Sequence, residues 1–268
     1  MPNQESLITS VNSLVDKVYV LSVKTFSERI AHIENEMNKH NIQFQFIFAY
    51  DIPEMNIDTL ERYFSDSSGL TMAQKSLVLK TIYAWQDAET NLYNKILIFE
   101  DDAILAKNFS SSLKSIINSA NQLEASYLIF LGGYDCKVPE HYLLSDQTLI
   151  PLPIATAEAY ITDAAAIKKR LEWLTKNKIS LPADHLICQM DKELGIANYW
   201  SNRPIVEQGS ISGAFTSRLD KQRLKHSRFF NISRYQWNKF RRHKLRRWLA
   251  KFRQKINLIF EKNINANS

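Results

Sequence analysis

Cysteine is nearly absent. The 268 residues include two, Cys136 and Cys188, far apart and in no C-x-x-C spacing, so neither a disulfide framework nor a zinc ribbon is supported. That scarcity fits a reducing compartment. Long apolar runs are missing too: no stretch reaches the about 18 residues that a spanning helix needs. Met1 to Lys17 is polar and lacks the apolar segment of a signal peptide. No P-loop, dinucleotide fingerprint or H-E-x-x-H occurs. Gly209-Ser210-Ile211-Ser212-Gly213 has the glycine spacing of a nucleophile elbow but Ile211 at its centre, so G-x-S-x-G fails. There is no internal repeat and no low-complexity segment. What remains is the composition of a soluble globular protein with a substantial core, long enough for one large or two small domains.

Acidic residues are scarce in one part only. Residues 218–268 hold 16 Lys and Arg against 2 acids, while residues 1–217 hold 18 against 26. The net charge of +6 therefore hides an acidic body, 1–217, and a basic tail, 218–268, with the one boundary that composition suggests near residue 217.

Within the body, short β-rich apolar runs alternate with helical periodicity. Strands are expected at 18–23, 44–49, 95–99, 127–131 and 157–162. Helices are expected from Ser27, with Ile30, Ile33 and Met37 on one face, and from Thr71 to about Asn91, burying Leu77, Ile82 and Trp85. Others carry Leu113, Ile116, Ile117 and Ala120, span 164–175, and run from Pro182 to about Leu194. Residues 52–70 read as irregular. The alternation predicts a three-layer α/β fold of Rossmann type with a largely parallel sheet.

The stretch around which the body is organised is Lys95-Ile96-Leu97-Ile98-Phe99-Glu100-Asp101-Asp102. An apolar strand runs directly into three carboxylates. Like charges so placed raise each other's pKa, and a divalent cation relieves the repulsion. Mg²⁺ and Mn²⁺ prefer oxygen ligands, and Mg²⁺ commonly takes one or two carboxylates plus substrate phosphates. Ligand sites of α/β folds also favour the carboxyl ends of strands. The cluster is thus a candidate diphosphate-holding metal site; the alternative is a solvated turn that caps the next helix with acids.

Several segments in order resemble glycosyltransferase family 25, the bacterial lipooligosaccharide galactosyltransferases and collagen galactosyltransferases. They are Val18-Tyr19-Val20-Leu21-Ser22 with Glu28-Arg29, then Phe44 to Asp51, then Ile96 to Asp102. Ala159-Tyr160-Ile161-Thr162, Pro182-Ala183-Asp184-His185, and Pro204 with Gln208 and Ser217 follow. Order and spacing agree over roughly residues 18–219. Leu70-Thr71-Met72-Ala73-Gln74-Lys75-Ser76-Leu77 and Lys80-Thr81 depart from the family's Leu-Thr-Pro-Gly-Glu-Ile-Gly-Cys and Ser-His, so its sugar preference does not carry over directly.

The resemblance implies a GT-A fold, a UDP-sugar donor with UDP-galactose the first expectation, a glycan or glycolipid acceptor, and Mn²⁺ or Mg²⁺. Asp102 is then the expected direct metal ligand, with Glu100 and Asp101 on the ribose or on the metal through water. An inverting transfer needs a base for the acceptor hydroxyl. Asp184 is the first candidate, although a carboxylate in a helix's first turn also simply stabilises it; Asp135 is the reserve. By position in the family, Ser22 and Arg29 hold the nucleotide, and Gln208 and Ser217 border the donor pocket. The alternatives are another nucleotide-sugar or a non-catalytic α/β binding module.

In the tail, Trp237, Phe240, Leu245, Trp248, Leu249 and Phe252 recur at helical steps among Arg241, Arg242, Arg246, Arg247 and other bases. Such a helix suits an anionic membrane surface, here the cytoplasmic face of the bacterial inner membrane. The same pattern also fits a helix packed on the acidic body, or nucleic acid, which is not the expected partner.

Overall fold

The computed structural model describes residues 10–134, 136–154, 156–212 and 228–266. The elements run β1 (Lys17–Leu21), α1 (Ser27–Lys39), β2 (Gln45–Ile47), α2 (Ile57–Tyr63), α3 (Met72–Thr90), β3 (Lys95–Glu100), β4 (Ala103–Leu105), α4 (Phe109–Ala120) and β5 (Tyr127–Phe130). They continue with β6 (Leu149–Ile150), β7 (Ala159–Asp163), α5 (Ala164–Leu174), α6 (Ala183–Leu194), β8 (Ala197–Ser201), β9 (Val206–Gln208) and α7 (Gly209–Ser212). The tail is α8 (Arg228–Lys239) and α9 (Arg246–Ala266), joined by a π-helical turn, Phe240–Leu245.

Seven strands form one sheet in the order β2-β1-β3-β7-β5-β8-β6. Side chains alternate across a strand, and both faces are apolar because both are covered. Tyr19, Leu21, Ile96, Ile98, Leu128, Phe130 and Tyr160 pack with Leu79, Ile82 and Trp85 of α3, Ile167 of α5 and Leu186 of α6. Val18, Val20, Leu97, Phe99, Ile129 and Ile161 face the other way, onto Ile33 and Met37 of α1 and Leu113, Ile116 and Ile117 of α4. The Rossmann-like layering of the sequence reading is therefore present.

The sheet is mixed rather than largely parallel. β1 pairs in parallel with β2 and β3, and β5 with β8. β7 runs antiparallel between β3 and β5, and β6 antiparallel to β8. The cause is the connection after β5. It turns back at the rim where β5 ends, without a crossover helix, so β7 enters from that rim and must run opposite.

Local signals explain most helix ends. The Thr71 hydroxyl accepts from the Gln74 N–H at 3.2 Å and Gln74 returns to the Thr71 N–H at 2.9 Å, a capping box that starts α3. Phe26, not Ser27, precedes α1, and its side chain makes no cap. Within 52–70, α2 forms because Asn56 accepts from the Thr59 N–H at 2.8 Å. Asp163 ends β7 and caps α5 through the Ala166 N–H, while also accepting from Ser126 and Tyr127 at the start of β5. Behind the sheet, Arg170 of α5 forms two hydrogen bonds with Asp191 of α6, at 2.7 and 2.8 Å, a third with Thr162, and lies 5.2 Å from the Trp85 ring.

Candidate active site

The register of the sheet brings the acid cluster together with groups from five other segments. Leu21 pairs with Glu100, so Ser22 stands beside Asp101. The Ser22 hydroxyl donates to Asp101 Oδ2 at 2.8 Å, and Arg29 from α1 donates to Oδ1 at 2.7 Å. Asp101 is thus buried with both oxygens engaged. Burial pushes its pKa up, against the pull of Arg29 and Ser22.

Asp102 is also buried, and β9 explains why it is held there. β9 pairs with β4, with Gln208 opposite Ala103. The next two amides clamp the acid: Gly209 N–H donates to the Asp102 carbonyl at 2.8 Å and Ser210 N–H to Oδ2 at 2.9 Å. Oδ1 is buried with no hydrogen-bond partner. A buried carboxylate oxygen left bare costs free energy, so this acceptor can take a hydrogen-bond donor or a cation.

Glu100 projects from the end of β3. Gln208 Nε2 donates to its Oε2 at 3.2 Å. Burial first, then the charges of Asp102, Glu158, Asp101 and Asp184, raise its pKa well above the usual carboxylate range. Asp184, in the first turn of α6, is thus within electrostatic reach of Glu100. Asp184 is half-buried, and its Oδ1 accepts from the His185 N–H at 2.9 Å.

Glu158 has no place in the sequence reading. It immediately precedes β7, and its carbonyl accepts from Glu100 N–H at 3.0 Å. Its side chain lies under Gly132-Gly133, where Gly133 N–H donates to Oε1 at 2.5 Å. The signal was a lone acid at the head of an apolar run, and it becomes informative only once β7 is known to run against β3.

Of the residues singled out from the sequence, Glu100, Asp101, Asp102, Ser22, Arg29, Gln208 and Asp184 gather at this rim. Ser22 and Arg29 are joined to Asp101. Asp135 and Ser217 lie outside the described residues. Among the described residues no three His, Cys, Asp or Glu side chains converge as a ready-made metal site. The donor set therefore fits a cation only as one held by a carboxylate or two, with its remaining ligands from elsewhere.

The departure at Lys80 has a definite structure. Its ammonium is buried, donating to Asp51 Oδ1 at 2.6 Å and to the Ala49 carbonyl at 2.8 Å, while Lys24 N–H donates to Asp51 Oδ2 at 2.9 Å. Burial lowers the Lys80 pKa against the opposing pull of Asp51. This pair fixes the turn after β2, where Tyr50 adopts φ 63°, a conformation costly for a bulky side chain.

The tail packs on the body through one side. The Tyr235 hydroxyl donates to Glu207 Oε2 at 3.1 Å, and Lys239 pairs with the same carboxylate while lying 4.2 Å from the Tyr134 ring. His243 is buried between the rings of Tyr134 and Trp200. Arg246 donates to the Val138 carbonyl, and Arg247 to the Asn202 carbonyl at 2.6 Å and to its side chain at 2.5 Å. Ala250 reaches the core. Arg246 and Arg247 thus turn toward the body, whereas Trp237, Phe240, Arg241, Trp248 and Phe252 are exposed and Arg242 is half-buried.

Comparison with known proteins places the class. Residues 15–187 match the profile of glycosyltransferase family 25, described as an LPS biosynthesis protein. The chain belongs to that family. It is 24% identical over 179 residues to the Haemophilus influenzae lipooligosaccharide biosynthesis protein lic2B, a match covering 63% of this chain and 66% of that protein. It is 30% identical over 178 residues to a putative glycosyltransferase of H. influenzae strain Rd, covering 63% of this chain and 61% of that one. The chain thus spans just under two thirds of the length of these curated relatives. A solved inositol-1-phosphate CTP transferase from T. maritima aligns over 82% of this chain and 95% of its own at 13% identity, with a TM-score of 0.39, too low to carry an argument.

Proposed function

We propose that this protein is a glycosyltransferase that moves a hexose from a UDP-sugar to a lipooligosaccharide or other bacterial surface glycan, with inversion at the anomeric carbon. The observation that carries the reading is the family match over residues 15–187, which contains β1, the acid cluster and Asp184. UDP-galactose is the first donor to test, because galactose transfer is what the family resemblance implies.

The rim supplies the chemistry such a transfer needs. A divalent cation, Mn²⁺ or Mg²⁺, would be held by Asp102 through its bare Oδ1, with Glu100 beside it. It would neutralise charge developing on the departing diphosphate. Asp101 is the internal support: tied to Ser22 and Arg29, it fixes the backbone from which Glu100 and Asp102 project. Gln208 holds Glu100 in place, and the Gly209 and Ser210 amides hold Asp102.

In the reaction, an acceptor hydroxyl oxygen bonds to the anomeric carbon as the bond from that carbon to the diphosphate oxygen breaks. UDP leaves with the electron pair. Asp184 takes the hydroxyl proton, since it is a half-exposed carboxylate in the first turn of α6 within electrostatic reach of Glu100.

Screening UDP-sugars for hydrolysis and transfer with and without Mn²⁺, using wild type and Asp102→Asn, tests the reading. One donor should be turned over in a metal-dependent way by wild type. Asp102→Asn should lose metal-dependent UDP binding while unfolding at the same temperature. Unchanged UDP affinity in calorimetry with Mn²⁺ removes Asp102 from the metal, and inactivity toward every nucleotide-sugar overturns the function.

A further inference from the structure

We propose that the outward side of α8 and α9 is a docking surface for an anionic phospholipid bilayer. Two residues along an α-helix turn the side chain by about 200°, so Trp237 lies opposite Tyr235, and Trp248 and Phe252 lie opposite Ala250. The inward register Tyr235, Lys239, His243, Arg247 advances in steps of four, and the wider π turn keeps His243 and Arg247 on the body side. Several apolar side chains on the other side are left in solvent: Trp237 is 56% exposed, Trp248 60%, Phe252 51% and Ile259 59%. Trp248 and Phe252 stack on each other at 5.7 Å rather than on the protein. A contiguous apolar surface of this kind marks an interaction site.

Charge identifies the occupant. Residues 228–259 contain no Asp or Glu. Lys239, Arg246 and Arg247 are engaged with the body and Arg253 lies 3.6 Å from Glu140, but Arg241, Lys244, Lys251 and Lys255 are exposed beside the apolar stripe. A second copy of this face would bring two like-charged surfaces together. Nucleic acid would use the charge and the rings but has no partner for Leu249, Leu258 and Ile259, which are also exposed. A bilayer takes all three features: rings and aliphatic groups at the acyl boundary, lysine and arginine stems laid along them, and charged ends at anionic headgroups. The surface is independent of the transferase reading, because it involves no residue of the rim and is measured without donor.

The test is cosedimentation of the full chain with vesicles of phosphatidylcholine alone and of phosphatidylcholine with phosphatidylglycerol, followed also by tryptophan emission. Wild type should bind the anionic vesicles, with a blue shift, and release at high salt. Trp248→Ser with Phe252→Ser should weaken binding by roughly a hundredfold. Lys244→Gln with Lys251→Gln and Lys255→Gln should do so by a similar factor at low salt, both variants keeping the wild-type unfolding temperature. Failure of wild type to bind anionic vesicles at low salt overturns the proposal. So does binding indifferent to the Trp248/Phe252 pair, a dimer in sedimentation velocity that the pair dissolves, or an oligonucleotide that displaces the vesicles.

Discussion

Gly132 is glycine because of Glu158. A β-carbon at position 132 would stand 1.9 Å from Glu158 Oε1 and 2.2 Å from its carboxyl carbon. The carboxylate cannot swing away cheaply, since the Gly133 N–H holds the same oxygen. Gly132→Ala should therefore cost about 1–3 kcal/mol in stability, the usual scale for overpacking, read by denaturant unfolding. It should also displace the carboxylate that faces Glu100. Gly69→Ala is the control for a glycine with nothing within 4 Å of the added carbon; its φ of 62° costs backbone strain alone.

Asp184 stands where a carboxylate can serve chemistry or only its own helix. Asp184→Asn keeps a hydrogen-bonding side chain at the start of α6 but removes the carboxylate. Turnover should fall by roughly two to four orders of magnitude, with UDP-sugar affinity and unfolding temperature nearly unchanged. Equal losses of turnover and stability would give the residue a structural role alone.

The Arg170–Asp191 pair is wholly buried and doubly hydrogen-bonded. Removing one partner strands the other charge. Asp191→Leu or Arg170→Met should each destabilise by about 3–5 kcal/mol. The double variant Arg170→Met, Asp191→Leu should cost markedly less than the two singles together. A double-mutant cycle in urea measures the difference.

His243 links tail stability to pH. Burial, helped by the nearby Arg247, lowers its pKa from 6.5 to about 4. The unfolded chain therefore binds a proton that the folded one refuses between those values, and folded stability falls as pH drops through that window. The loss should approach roughly 3 kcal/mol by pH 4. Hydrogen exchange or limited proteolysis of α8 and α9 between pH 7 and pH 4.5 should show the tail opening. His243→Gln should flatten that part of the pH dependence.

Much of this was readable in the chain. Lys95 to Phe99 is apolar without interruption because β3 is covered on both faces, and the acids after it had to stand at a strand end. Thr71 announced α3. β8 was not legible, because Asn198 and Ser201 interrupt the apolar pattern; Asn198 is there to donate to Asp191 at 2.7 Å. Strand direction leaves no mark in a sequence, so neither the reversal of β7 nor the meeting of Glu158 with Glu100 could be read. Gly209-Ser210, unremarkable once the nucleophile elbow failed, matters through backbone amides, which have no letter code. In the tail, periodicity found an amphipathic helix but not which bases turn inward. Arg246 and Arg247 do so, donating to the carbonyls of Val138 and Asn202.

The reversal of β7 has an evolutionary consequence. Leu131 leaves the sheet and Glu158 rejoins it at the same edge, so the chain between them is an excursion from one side of the scaffold. Apart from β6, which lends two residues to the outermost position, its length is free of the spacing that fixes a crossover. Insertions or exchanges at its exposed positions, away from the buried Val138, Leu143, Ile150 and Ile154, leave the pairings of β1, β2, β3, β5, β7 and β8 intact. Selection can thus refashion the exposed part of that excursion while Glu100, Asp101 and Asp102 stay where β3 puts them.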